Sequence, residues 1–215
     1  MAEQTVRVKT NKEKWLTAAK GLVFIVALLP LVKLIWLGLH DGLGANPIEK
    51  ITRTTGYWAL VFLLITLTAT PLRAISGWAW PVQWRRMLGL YAFFYASLHF
   101  LTYLVLDQFF DWAAIIKDVA KRPYITLGFP AFLLLIPLAV TSTNNMIKRL
   151  GGKRWKALHK LIYIIGIAGV IHFWWLVKKD ITEPVQFASV LALLLGFRLV
   201  KAMQSKRKLG KPVQG

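Results

Sequence analysis

The sequence predicts an all-α, polytopic bundle of six transmembrane helices, and three observations carry that prediction. Hydrophobic residues make up 56% of the 215 and charged residues only 17%, with a mean hydropathy of +0.51, outside the usual range of soluble domains. Apolar runs of about 20 residues, the length that crosses a hydrocarbon core as a helix, recur six times. The net positive charge of the segments outside those runs falls almost entirely on one side.

The first run, 16–38, is too long for a secretory signal and is followed by no small-residue cleavage site, so it is expected to stay as a helix. Gly42, Gly44 and Pro47 mark the turn after it. The second run, 57–72, and the third, 87–106, are separated by Arg73, Arg85 and Arg86. The fourth, 123–142, contains Pro130 and Pro137, which are expected to kink it. The fifth, 157–177, and sixth, 184–201, complete a transmembrane domain over 16–201, leaving a cytoplasmic segment at 1–15 and a basic cytoplasmic tail at 202–215. Trp15, Trp36, Trp58, Trp84, Trp112 and Trp155 fall at or near predicted helix ends, where an indole anchors in the headgroups, and Trp174 and Trp175 do so at the end of the fifth.

Charge sets the orientation. Of the 28 Lys and Arg, 20 fall on the side of the N-terminal segment, the second-to-third and fourth-to-fifth connections and the tail. The other side has 8, with seven of the nine acids: Asp41, Glu49, Asp107, Asp111, Asp118, Asp180 and Glu183. Both termini are therefore expected in the cytoplasm. A net charge of +19 would in a soluble protein suggest a nucleic-acid partner, but here +18 of it lies on one side. The excess is a topology signal with some attraction for anionic lipid, and no nucleic-acid partner is expected.

The residues absent from the chain narrow its chemistry. With no Cys there is no disulfide, thiolate-ligated haem or iron–sulfur cluster. No Asp or Glu lies inside a predicted span, which argues against a carboxylate proton relay or a cation-coupled transporter site. The four Met, at 1, 87, 146 and 203, sit at or outside helix ends. A metal ligand deep in the membrane can only be His.

His99 lies well inside the third helix and His172 well inside the fifth. Both helices are odd-numbered, so they run the same way and bring the two residues to similar depth, as bis-His ligation of one haem iron requires. The other reading of the pair is a satisfied interhelical hydrogen bond. Placing His99-Phe100 over His172-Phe173 sets Arg86 against His159, so the fifth helix carries two histidines and the third only one. Small residues, Gly89, Ala92 and Ala96 before His99 and Gly166, Ala168 and Gly169 before His172, offer space for a flat macrocycle, although they also serve helix packing. His159 lies thirteen residues before His172, about 20 Å along a helix and about 140° around it. With Arg86 as its counterpart it suits an anionic cofactor better than a second bis-His haem, the alternative being an interfacial His. His40, beside Asp41, reads as interfacial.

Several segments together resemble a known family. Arg85-Arg86-Met87-Leu88-Gly89-Leu90, Ser97-Leu98-His99, Arg122-Pro123-Tyr124-Ile125-Thr126-Leu127-Gly128, Thr141-Ser142-Thr143 and Arg154-Trp155-Lys156-Ala157-Leu158-His159, with Gly42-Leu43-Gly44-Ala45-Asn46-Pro47 and Thr55-Gly56, are similar to the MsrQ (formerly YedZ) proteins. These are the haem-binding membrane subunits of the periplasmic methionine sulfoxide reductase system, within the ferric-reductase-like transmembrane superfamily. The resemblance runs from about residue 15 to 200.

That resemblance implies a multi-pass electron carrier of the bacterial inner membrane. Electrons would come from the quinone pool as quinol, or from a cytosolic flavin reductase, and pass through b-type haem to a periplasmic molybdopterin subunit that itself reduces oxidised methionines. The implied cofactors are haem b and FMN. The ligand histidines carry over to His99, His172 and His159, with His99 and His172 as the haem pair, and Arg86 stands where relatives have a further His, leaving room for flavin. The tail is expected to be too short for the flavin and nicotinamide domain that ferric reductases append. Asp107, Asp111, Asp118, Asp180 and Glu183 on the outer side could dock the partner or be ordinary solvated loop residues. Two competing expectations are a self-sufficient metal-ion reductase of the same superfamily and a membrane anchor whose histidines only hydrogen-bond.

Overall fold

A computed structural model describes residues 11–177 and 179–209. Most of the expected N-terminal segment and residues 210–215 of the expected tail lie outside the described residues. Every regular element among the described residues is helical, and six helical stretches are long and apolar enough to cross a membrane: Lys14–Leu39, Pro47–Ser76, Trp80–Asp107, Pro123–Val140, Gly152–Leu176 and Thr182–Ser205. Each overlaps one predicted run. The chain divides at Leu43/Gly44 into two units.

The first unit contains α1 (Asn11–Val26) and α2 (Leu29–Leu39). The run is interrupted at Ala27-Leu28 because Pro30, in the first turn of α2, has no N–H to continue the ladder. His40, exposed at the end of α2, stacks on Trp36 at 3.9 Å and donates from Nδ1 to the Trp36 carbonyl at 2.8 Å. It is thus bound within its own helix and turned to the surface.

The second unit begins with α3 (Pro47–Ser76), started by Pro47 and by Asn46, whose side chain accepts the Glu49 N–H at 3.2 Å. Gly77 ends it at φ 74°, its N–H returning to the Arg73 carbonyl at 3.0 Å. This helix starts ten residues before the predicted 57, because Glu49, Lys50 and Arg53 in its first turns hide it from hydropathy. Trp58 is thereby three turns inside the helix, packed near Phe62 at 5.8 Å, and is not at a helix end. Then follow α4 (Trp80–Leu101), which passes into a π-helical turn at Thr102–Asp107, and the short α5 (Trp112–Lys121), capped by Asp111. The chain continues through α6 (Pro123–Val140), α7 (Asn144–Leu150), α8 (Gly152–Leu158), α9 (Leu161–Leu176) and α10 (Thr182–Leu209). Both Pro130 and Pro137 lie inside α6.

Short connections make the long helices of this unit alternate in direction, so α4 and α9 are parallel. One end carries Glu49, Asp107, Asp111, Asp118 and Asp180; we call it the acidic face. The other carries Arg85, Arg86 and the lysines and arginines of α7 and α8; it is the basic face.

The most extensive packing is of α3 on α4 and of α6 on α9. Phe62 stacks on Tyr95 at 5.4 Å, and Tyr95 is fully buried. Ile165, Val170 and Leu191 bring α9 and α10 into the same core. Ile65, Leu90, Leu133, Ile164 and Leu193 are exposed instead, as residues facing lipid are. A polar tie also holds α10 to α3. Within α3, the Leu67 carbonyl would meet the N–H four residues on, but that residue is Pro71. Arg198 supplies the missing donor through Nη2, while its Nη1 donates to the Leu194 carbonyl at 2.8 Å.

Candidate functional site

His99 and His172 come together from α4 and α9, their ring centroids 5.9 Å apart and their planes at 85°. The two sit in matching environments. His99 Nδ1 donates to the Thr52 carbonyl of α3 at 2.9 Å, and His172 Nδ1 donates to the Tyr124 carbonyl of α6 at 2.6 Å. A backbone carbonyl can only accept, so each bond places the ring proton on Nδ1 and leaves Nε2 with its lone pair. No hydrogen bond among the described residues uses either Nε2.

A glycine stands one turn beyond each acceptor, and both are required by space. A Cβ on Gly56 would lie 2.9 Å from His99 Nδ1, and one on Gly128 would lie 2.6 Å from His172 Nδ1. Thr52 and Gly56 thus hold one ring while Tyr124 and Gly128 hold the other. Thr52 precedes His99 by 47 residues and Tyr124 precedes His172 by 48, so the α3–α4 pair and the α6–α9 pair repeat one device.

Both rings line a cavity of about 1130 Å³ that opens at the acidic face, somewhat larger than the usual small-molecule site. Ala92 and Ala96 of α4, Gly169 of α9 and Ala59 of α3 give it width. Gly89 and Gly166, expected to provide the same space, do not line it. A Cβ on Gly89 would meet Thr66 at 3.6 Å, and one on Gly166 would meet Leu63 at 3.3 Å and Leu191 at 3.4 Å, so these two glycines permit close helix packing. Toward the basic face the cavity ends on Leu63, Leu135 and Ile165. Toward the acidic face it is bordered by Lys50, Arg53, Lys179, Asp180 and Glu183, and Trp112, Ile115 and Val119 of α5 roof one side. Asp180 is held below the usual carboxylate range by hydrogen bonds from the Thr182 hydroxyl and backbone N–H.

His159 and Arg86 are not among the residues lining this cavity. They lie near the basic face, and the structure does not bond them to each other. Arg86 donates to Asn144 Oδ1 at 2.7 Å. His159 stacks on Trp155 at 3.9 Å, and its Nε2 lies 3.1 Å from Thr141 Oγ1. The Thr141 hydroxyl donates its one proton to the Pro137 carbonyl at 2.6 Å, so His159 donates to it through Nε2–H. Trp155 Nε1 closes the same turn on the Thr141 carbonyl at 2.9 Å. The chain is not helical at His159-Lys160, which separates α8 from α9, so the ideal-helix angle between His159 and His172 does not apply.

Sequence reasoning found both cavity histidines and missed the residues that hold them, Thr52, Tyr124, Gly56 and Gly128. A signal was available: a glycine four residues after a helical position that itself precedes the histidine by a near-constant interval, occurring twice.

The family described as ferric reductase like transmembrane component matches residues 55–170. The protein-methionine-sulfoxide reductase heme-binding subunit MsrQ of Herminiimonas arsenicoxydans is 55% identical over 195 residues, covering 90% of this chain and 89% of that protein. The subunit of the same name from Rhodospirillum rubrum is 55% identical over 188 residues, covering 86% and 89%. That of Ralstonia nicotianae is 52% identical over 188 residues, covering 86% and 87%.

Proposed function

The chain belongs to the MsrQ family of the ferric-reductase-like transmembrane proteins, and on that premise we propose that it is a b-type haem electron-transfer subunit held by His99 and His172. The observation that carries this reading is the pair of imidazoles fixed through Nδ1, each presenting Nε2 to one cavity. The residues fit the group: among the described residues His99 and His172 are the imidazoles that line the cavity, and Ala92, Ala96 and Gly169 leave a slot between helices wide enough for a flat ring.

Haem, when bound, supplies one-electron chemistry, and the protein supplies position and potential. His99 and His172 would hold the haem through Nε2. The Thr52 and Tyr124 carbonyls would orient the rings and, by accepting the Nδ1 protons, make them stronger donors. Leu63, Leu135 and Ile165 close the inner end of the cavity and limit access of water there.

In this proposal the basic face is cytoplasmic and the protein lies in the bacterial inner membrane, with 16–201 as its transmembrane domain. Electrons arrive from quinol or a cytosolic flavin reductase and leave to a periplasmic molybdopterin-containing methionine sulfoxide reductase, on which catalysis occurs. FMN, the second cofactor of this reading, belongs at the basic face, where Arg86 would meet its phosphate and His159 lies nearby.

Spectra of the purified protein test the proposal. The expected result is sharp reduced α and Soret bands, formed on adding quinol and discharged by the partner reductase. Bands unchanged in both His99→Ala and His172→Ala would remove the ligand assignment. Reduction of free ferric chelates without any partner would favour a metal-ion reductase, and a purified protein with no chromophore would favour an anchor.

A further inference from the structure

The cavity has two chemically different ends, and the difference bears on which way an amphipathic macrocycle lies in it. Its inner end is formed by Leu60, Leu63, Leu135 and Ile165, all apolar. Its charged lining is confined to the acidic-face mouth, where Lys50 and Arg53 come from the first turns of α3, Lys179 and Asp180 from the α9–α10 connection, and Glu183 from the first turn of α10. Placing a carboxylate against the leucines would strand a charge in a low-dielectric interior, whereas the mouth offers water and cations.

Cations and acids at the mouth are not equivalent. Asp180 accepts the Thr182 N–H at 2.9 Å, and Glu183 lies at the N-terminus of α10, where the helix dipole favours a negative charge. Arg53 is paired with Glu49 at 2.8 Å. Lys50 and Lys179 enter no ion pair among the described residues, and they reach the cavity from different elements. Two lysines that have no carboxylate partner among the described residues, at the charged border of a cavity that also presents two imidazoles, are placed to receive the two carboxylates of a dicarboxylate macrocycle.

We infer that Lys50 and Lys179 bind the propionate edge of the haem, which is inserted with its apolar edge toward Leu63, Leu135 and Ile165 and its carboxylates toward the acidic face. This rests on the haem reading above. It assigns the two lysines to binding, and it makes the acidic-face mouth, bordered by α5, the edge at which the ring is least covered by protein.

Titrating the full-length apoprotein in nanodiscs with haem and with haem dimethyl ester, in which both carboxylates are masked, separates this inference from its premise. Soret absorbance gives the affinity. In Lys50→Glu/Lys179→Glu the affinity for haem is expected to fall about tenfold, the effect of a few partly screened charges, while the affinity for the diester is unchanged. The diester thus reports that the variant is folded and its histidines are in place. Equal affinities of the variant and the unaltered protein for haem would overturn the inference, as would an equal loss for both ligands. So would a haem-selective loss in Arg86→Gln, because the propionates would then lie at the basic face. Failure of the unaltered protein to bind either ligand would remove the haem reading itself.

Discussion

His99 and His172 differ from His159 in which nitrogen the fold uses. The cavity pair spend Nδ1 on backbone carbonyls and leave Nε2 facing the cavity, whereas His159 gives Nε2 to the Thr141 hydroxyl and lies flat against Trp155. The same side chain therefore keeps Nε2 open in one place and spends it as a donor in another. The residue opposite decides the role: a carbonyl at the base of the ring fixes the tautomer with the far nitrogen free, and a hydroxyl at its tip consumes that nitrogen.

The sharpest way to break this contrast is to remove the histidines in turn. His99→Ala and His172→Ala are each expected to abolish haem binding, and His159→Ala to leave the Soret band unchanged while lowering stability by about 1 kcal/mol for the lost hydrogen bond. Loss of haem in His159→Ala alone would reverse the assignment. Next in size are the glycines. Gly128→Ala, whose Cβ would intrude to 2.6 Å of the ring, is expected to weaken haem binding about ten- to a hundredfold, in the range of other supporting-residue changes around metal ligands. Gly56→Ala, with 2.9 Å, should do the same to a smaller extent, both read from haem titration of the apoprotein. Unchanged affinity in both would mean that the rings are not held as described.

An effect on stability alone, with haem binding unchanged, concerns a polar tie remote from the cavity. Arg198→Met leaves the Leu67 carbonyl without its donor and should cost about 1–3 kcal/mol of stability. Pro71→Ala supplies an N–H four residues on and should recover part of that loss, giving a double-mutant coupling measurable by thermal unfolding. Additive effects would show that Arg198 and Pro71 are not partners.

The six spans were legible because a membrane imposes a length that only long apolar runs satisfy. Their ends were less so. Glu49, Lys50 and Arg53 disguised the first ten residues of α3, and α5 is too short and too polar to register as a span although it borders the cavity. The fifth span reads as continuous, but its chain turns at His159-Lys160, a break with no proline or glycine to announce it. The meeting of His99 and His172 in one cavity was legible because an ionisable residue at membrane depth is costly and there were only two deep histidines. Their supports were not, because a backbone carbonyl has no sequence identity and a glycine within a helix has several explanations. Gly89 and Gly166 illustrate the difficulty: they have the same spacing logic as Ala96 and Gly169, yet they face neighbouring helices rather than the cavity.

Haem content per chain after reconstitution, measured side by side for the unaltered protein, His99→Ala, His172→Ala and His159→Ala, tests the central assignment most directly. The paired-imidazole account predicts a low-spin haem bound between His99 and His172, lost in either of those two variants and retained in His159→Ala. Haem retained at full occupancy in His99→Ala or His172→Ala, or lost only in His159→Ala, would contradict it.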